Sequence, residues 1–470
     1  MGWPEATDQV LARIVLERGI ALIYVIAFTV ALNQFPALLG ERGILPVTHY
    51  VARVPFSAAP SLFHLRYSDR LLQVVCWVCS ALAGALALGA SALVPAWASL
   101  VAWLVLWLSY LSIVNVGQTF YGFGWESLLL EAGFLAAFLG PATTAPPALV
   151  LWLFRWLVFR LEFGAGLIKL RGDPCWRDLT CLYYHHETQP MPNPLSWYFH
   201  HLPKPLHRLE VAANHLTQLV IPFGLFMPQP VAGVAGLAVI VTQSWLVASG
   251  TFSWLNALTI VCAFSALPDS MLGALLPIEV GTLVQEPIWH RVLVGALTIT
   301  FVALSYFPVR NLVSRRQLMN YSFNRLHLVN TYGAFGSITR VRYEVVIEAT
   351  DDPESGRWLE YRFKGKPGDP ARRPPQIAPY HLRLDWLMWF VAISPSYGYG
   401  WFDAFLAKLL AADPKVLKLL RHAPFGAEPP AAVRAVLYRY RYTTPAERAA
   451  SGHWWVREPA GVLVVVNHGR

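Results

Sequence analysis

PPALVLWLFRWLVFRLEFGAGLIKL, residues 146–170, is long and apolar enough to cross a bilayer, yet it carries Arg155, Arg160, Glu162 and Lys169. A hydrocarbon core about 30 Å thick takes roughly 20 helical residues. Charges inside such a helix are costly, so they face protein or a water-filled cavity, not lipid. Arg155, Glu162 and Lys169 are spaced seven apart. Seven residues are nearly two helical turns, which puts the three on one face with a small drift, while Arg160 points elsewhere. A helix of this kind needs neighbours, and the chain supplies them.

Apolar segments run over 16–36, 71–93, 95–115, 119–140, 148–170, 211–228, 230–249, 252–268 and 289–308. These predict a polytopic α-helical membrane protein of about nine spans. Short connections such as Val94-Pro95 and Met227-Pro228 predict antiparallel hairpins. Composition agrees: 55% of the 470 residues are hydrophobic and only 14% charged, against about 25% charged in an ordinary soluble domain. The net charge of +9 fits a membrane-surface or topology role; no nucleic-acid motif accompanies it. No inverted repeat is visible, which speaks against a transporter. The first apolar segment follows Glu5 and Asp8 and lacks a cleavage site, so it is expected to stay as a signal-anchor.

The expected division is a helical transmembrane domain, 1–308, carrying a polar-aromatic insert at 171–210, followed by a soluble β-rich (α+β) domain, 309–470. In the second part RVRYEVVIEATDD (340–352) alternates as a strand does, and GRWLEYRFKG (356–365), AVRAVLYRYRYT (432–443), HWWVRE (453–458) and GVLVVVNH (461–468) read as further strands. WFDAFLAKLLAADPKVLKLLRH (401–422) has helical spacing.

Partners for the charged helix lie in other apolar segments: Glu126 and Glu131 in the fourth, Asn214, His215 and Gln218 in the sixth, Gln243 and Asn256 in the next two. One expectation is structural, with Arg155 and Arg160 held in buried ion pairs by Glu126, Glu131 or Glu162. The other is functional: a polar cavity whose outer end meets Lys169. Gly164 and Gly166 leave room beside that amine, which either snorkels to the interface or serves as a base. Within the insert, the stretch Trp176–Pro203 is dense in aromatic residues and holds His185, His186, Glu187 and Asn193. Its aromatics suit the headgroup layer, and it is expected to lie at the membrane face across the cavity mouth. Its histidines lack a zinc spacing such as HExxH, so neither a metal nor another cofactor is expected. Cys175 and Cys181 are expected to bridge if this segment meets an oxidising compartment. Cys76, Cys79 and Cys262 lie in apolar runs and read as small buried side chains.

FRLEFGAGLIKLRGDPCWRDLTCLYYHHETQPMPNPLSWYFHHLP (159–203) resembles the lipase maturation factor family, as do GQTFYGFGWESLLLEAGFLAAFLGP (117–141), YRFKGKPGDPARRPPQIAPYHLRLDWLMWF (361–390) and RAVLYRYRYT (434–443). The resemblance covers nearly the whole chain. It implies a membrane-bound folding factor for secreted client proteins, lipases among them, rather than an enzyme, in the endoplasmic reticulum membrane of a eukaryote or the cytoplasmic membrane of a bacterium. It also implies a C-terminal domain on the non-cytoplasmic side, in contact with clients. The basic residues of the long loops, Arg42, Arg53, Arg171 and Arg177 among them, favour the opposite orientation by the positive-inside rule. The membrane part is similar, more distantly, to the vitamin K-dependent γ-glutamyl carboxylase, whose Gly-x-x-Lys-Leu segment carries a catalytic base; Gly166, Lys169 and Leu170 match that spacing. Membrane lipids are the other expected partner, and nucleic acid is not one.

Overall fold

The computed structural model describes residues 6–467 except 275, 277 and 279–282, so Glu5 and the end of the last expected strand, His468, lie outside the described residues. The first part is helical: α1 (Val10–Leu38), α2 (Asp69–Ala87), α3 (Ala96–Asn115), α4 (Gly124–Ala136), α5 (Ala148–Arg171), α6 (Leu182–Thr188), α7 (Lys204–Leu219), α8 (Val231–Ser249), α9 (Leu255–Ala263) and α10 (Ile288–Leu304), the last running on through Tyr306–Val313. Five helices are long and apolar enough to cross a membrane by length and composition: α1, α2, α3, α8 and the stretch Ile288–Val313. The other expected spans depart from that standard for different reasons. At 13 residues, α4 is about 20 Å long and cannot span unaided. α5 has the length but is crossed by charge. The segment expected at 211–228 is instead the end of α7 and a separate turn, Ile221–Gly224.

The outer faces of these helices are apolar and uncovered. Trp77 and Val78 on α2, Val234 and Val241 on α8, and Ile299 and Val302 on α10 are all more than half exposed. Rows of this kind are stable only against hydrocarbon, and the chain is an integral membrane protein. Inside, α1 is the hub, packing on α2, α4 and α9.

The second part is a small antiparallel sheet, order β2-β1-β3-β4, of β1 (Arg342–Thr350), β2 (Leu359–Glu360), β3 (Ala432–Tyr442) and β4 (Trp455–Asn467). Two expected strands, HWWVRE and GVLVVVNH, are one. Pro459 looks like a break, but β4 lies at the sheet edge, where a missing N–H costs no ladder bond; register shifts at Ala435/Val436 and Leu437/Tyr438 absorb the misfit. The expected strand at 356–365 shrinks to two paired residues, because Arg362 N turns to the His422 carbonyl instead. Between β2 and β3, α11 (Arg383–Ile393) packs on β1. The two parts share one apolar core, which continues from Leu11 and Phe28 through Trp254 to Trp386, Phe405 and Val433.

The insert is folded and docked. α8 ends with carbonyls that its own turn cannot satisfy. Asn193 Nδ2 donates to Ala248 O (2.9 Å) and Val247 O (3.1 Å), while Gln189 Nε2 and Ser196 Oγ donate to Ser249 O. Asn193 Oδ1 in turn accepts from Leu195 N (2.9 Å), and Asn193 N donates to Ser196 Oγ (2.8 Å), which fixes the PNP turn. A disulfide joins Cys175 and Cys181 at the start of the insert, a short loop worth about 2–3 kcal/mol by chain entropy.

Candidate functional site

α5 presents its charges to three different neighbourhoods. Near its end, Lys169 Nζ donates to Asn214 Oδ1 (2.8 Å) and Gln218 Oε1 (2.9 Å), both from α7. Asn214 and Gln218 are one turn apart, so one amine reaches both. Gln218 Nε2 donates to Glu162 Oε2 (3.2 Å), Gln243 Nε2 of α8 to Glu162 Oε1 (2.5 Å), and Asn256 Nδ2 of α9 to Gln243 Oε1 (2.6 Å). Lys169 and Glu162 therefore share a face, as their spacing requires, and communicate through Gln218. Four helices meet in this string of side chains.

Lys169 lines a cavity of about 320 Å³ with apolar walls, roofed by Trp176, His185 and His186 of the insert. The Trp176 ring lies 4.9 Å from Nζ, a distance at which a cation and a ring face attract. Burial pushes His185 down to about 3, so it is neutral and packs as an aromatic against Phe335. A second cavity, about 740 Å³, adjoins the first across Leu161, Phe252 and Phe335. Trp125, Trp386 and Trp389 wall it, with Arg171, Arg315 and Arg316 at its edge.

Arg160 forms a buried ion pair with Glu131 of α4. The same carboxylate accepts from Asn330 N and Nδ2 (3.0 Å each) and Tyr332 OH (2.9 Å), from the segment that leads into the sheet. Glu126 pairs with Arg383 of α11 at 2.7 Å and accepts from Tyr110. Arg383 also donates to Phe120 O (2.8 Å), and its own N–H donates to Gln34 Oε1 of α1 (3.0 Å). His381 stands beside this pair with Trp125 Nε1 donating to its Nδ1, and burial pushes its imidazole down to about 4.

The expectation that Arg155 pairs with a glutamate is corrected. Its guanidinium donates to Gln9 Oε1 (2.9 Å), Ser265 O (3.0 Å) and Leu225 O (3.4 Å). Glu162 faces α7 and α8 instead, nearly two turns further along α5. In the insert, Glu187 accepts from Tyr442 N of β3 (2.7 Å), and burial raises its carboxyl above the usual range. His215 meets the Trp176 carbonyl at 2.9 Å. His186 lies at the cavity wall with neither ring nitrogen hydrogen-bonded among the described residues.

Several residues of this architecture were not signalled by sequence: Gln9, Asn330, Tyr332, His381 and Arg383, and a buried cluster in which Glu344 pairs with Arg342 and, at 2.8 Å, with Lys366. Arg342 also donates to Glu187 O (2.9 Å) and Gln189 O (2.5 Å), so this cluster holds the insert against the sheet.

Residues 11–274 match the lipase maturation factor transmembrane domain, and residues 328–465 match the lipase maturation factor C-terminal domain. The chain is 43% identical to lipase maturation factor 1 of Homo sapiens, over 96% of this chain and 87% of that one. It is 44% identical to that of Bos taurus, over 96% and 88%. Against lipase maturation factor 2 of Homo sapiens the identity is 29%, over 95% and 81%. No solved structure matches the chain. With both of the family's domains present in order and this degree of identity along almost its full length, the chain belongs to the lipase maturation factor family.

Proposed function

We propose that the chain is a maturation factor that helps secreted clients, lipases among them, to fold, and that it binds them through the C-terminal sheet on the non-cytoplasmic side. The observation that carries this reading is the 43% identity to a protein named lipase maturation factor 1, extending through both domains. In this reading α5 crosses the membrane as the charged centre of a bundle of about nine spanning or partly spanning segments. The bundle sits in the endoplasmic reticulum membrane of a eukaryote or the cytoplasmic membrane of a bacterium. The Cys175–Cys181 disulfide favours an oxidising compartment for the insert, and the insert is bonded to the sheet, so both share one side. β4 supports the docking role: it is an edge strand whose Val462 and Val465 are more than half exposed, the kind of edge to which an extended client segment adds as a further strand.

A second reading, an integral membrane enzyme of the γ-carboxylase-like class with Lys169 as base, is favoured by the position of that amine on a cavity wall. One experiment separates the two. A photo-crosslinker placed at Val462 captures a co-expressed secreted lipase, whereas one at Trp77 on the lipid face of α2 does not. Lys169→Arg keeps the charge but cannot act as a base. Maturation and crosslinking are expected at wild-type level in Lys169→Arg. Loss of maturation with crosslinking intact sinks the binding-only reading and favours the enzyme.

A further inference from the structure

The insert and α7 bring three metal-ligand side chains together at the edge of the smaller cavity. His186 comes from α6; His207 and Glu210 are three residues apart on α7 and so share one face. One ligand atom from each lies within 4.8 Å of the other two. His186 is 3% exposed, and both its ring nitrogens lack a hydrogen-bond partner among the described residues. Buried polar atoms are nearly always satisfied. Its ring stands 5.6 Å, centroid to centroid, from that of His207.

The other two groups are already oriented. His207 Nε2 lies 3.3 Å from the His200 carbonyl, which can only accept, so that nitrogen carries the N–H. His207 Nδ1 faces Glu210 Oε2 at 3.0 Å. The second oxygen of Glu210 accepts from Trp245 Nε1 at 3.0 Å. A ligating histidine that donates its far N–H to a carbonyl, beside a carboxylate held by its own donor, is the usual outer support of a metal site.

We propose that His186, His207 and Glu210 bind a zinc-class divalent ion through two imidazole nitrogens and one carboxylate oxygen, leaving a fourth position open to the cavity that Lys169 lines. Imidazole nitrogens select against magnesium and calcium, which take oxygen ligands. An insert that carries a disulfide belongs in an oxidising compartment, where redox-inert zinc is retained and ferrous iron is not. Tetrahedral binding at about 2.0–2.2 Å sets ligand atoms roughly 3.4 Å apart; the three atoms already lie within 4.8 Å of one another, so a shift of at most roughly 1.4 Å closes the set. The ion would join α6 to α7 and hold the cavity mouth shut. This site stands apart from the identity of any client.

The test uses the full-length protein in detergent, stripped with a chelator and titrated with Zn²⁺ alone. One tightly held ion per chain is expected by elemental analysis, together with a rise in thermal midpoint on loading. His186→Ala and Glu210→Gln each lower zinc affinity by about tenfold or more, while His201→Ala, whose ring packs on Trp197 outside the set, leaves it unchanged. Glu210→Gln retains an acceptor for Trp245, so a monodisperse variant that has lost zinc reports on ligation and not on folding. Wild-type protein that binds no zinc, or binds it as tightly in His186→Ala and Glu210→Gln, overturns the proposal. Equal affinity for Mg²⁺ and Zn²⁺ overturns it as well.

Discussion

Arg383→Met alone lowers the stability of the folded protein by about 3–5 kcal/mol, because it leaves the Glu126 carboxylate buried without its cation. Both side chains are fully buried, at 0% exposure. The pair also joins the α11 segment to α4, and the Arg383 N–H ties it to α1. The double change Glu126→Gln/Arg383→Met removes both charges, keeps an acceptor for Tyr110, and is expected to recover most of the loss. Thermal unfolding in detergent with size-exclusion analysis reads the effect. Equal midpoints for Arg383→Met and the double variant would show that the charge pair does not hold the domains together.

Glu131→Leu has the second large effect, again about 3–5 kcal/mol. It strands Arg160, which has 1% exposure, and also deprives Asn330 and Tyr332 of their acceptor. Glu131→Gln is milder, since an amide oxygen still accepts two of those bonds. Arg160→Met leaves a carboxylate with three remaining donors and falls between them. The order expected in midpoint is therefore wild type, Glu131→Gln, Arg160→Met, Glu131→Leu. A Glu131→Leu protein as stable as Glu131→Gln would refute the burial argument.

The membrane helices were legible because length and apolar content are local properties: α1, α3, α5 and α8 end within a few residues of where hydropathy places their core. Glu131 and Arg160 were legible as intramembrane charges in want of partners. The partner of Glu126 was not. Arg383 lies 257 residues away, at the start of a helix whose flanks look like an ordinary soluble domain. Nothing in its spacing says that it enters the bundle. Arg155 departs from its expected ion pair for a related reason. A buried guanidinium can be satisfied by carbonyls and an amide as well as by a carboxylate, and the carbonyls of Leu225 and Ser265 are exposed only because helices end there. β4 reads as two strands in sequence but runs as one, since a proline such as Pro459 breaks a central strand but not an edge one. The histidine grouping is not legible as a zinc spacing, because it takes His186 from α6 and pairs that ring with His207 and Glu210 at the start of α7.

The most direct test of the maturation reading is secretion. Cells lacking lipase maturation factor 1, and expressing a secreted lipase that depends on it, are supplied with this chain, and lipase activity in the medium is measured against total lipase protein. Active lipase is expected to rise to a substantial fraction of the level reached with the Homo sapiens factor, and Arg383→Met is expected not to restore it. Inactive lipase in the presence of a folded, membrane-inserted chain would show that the chain does not mature lipases.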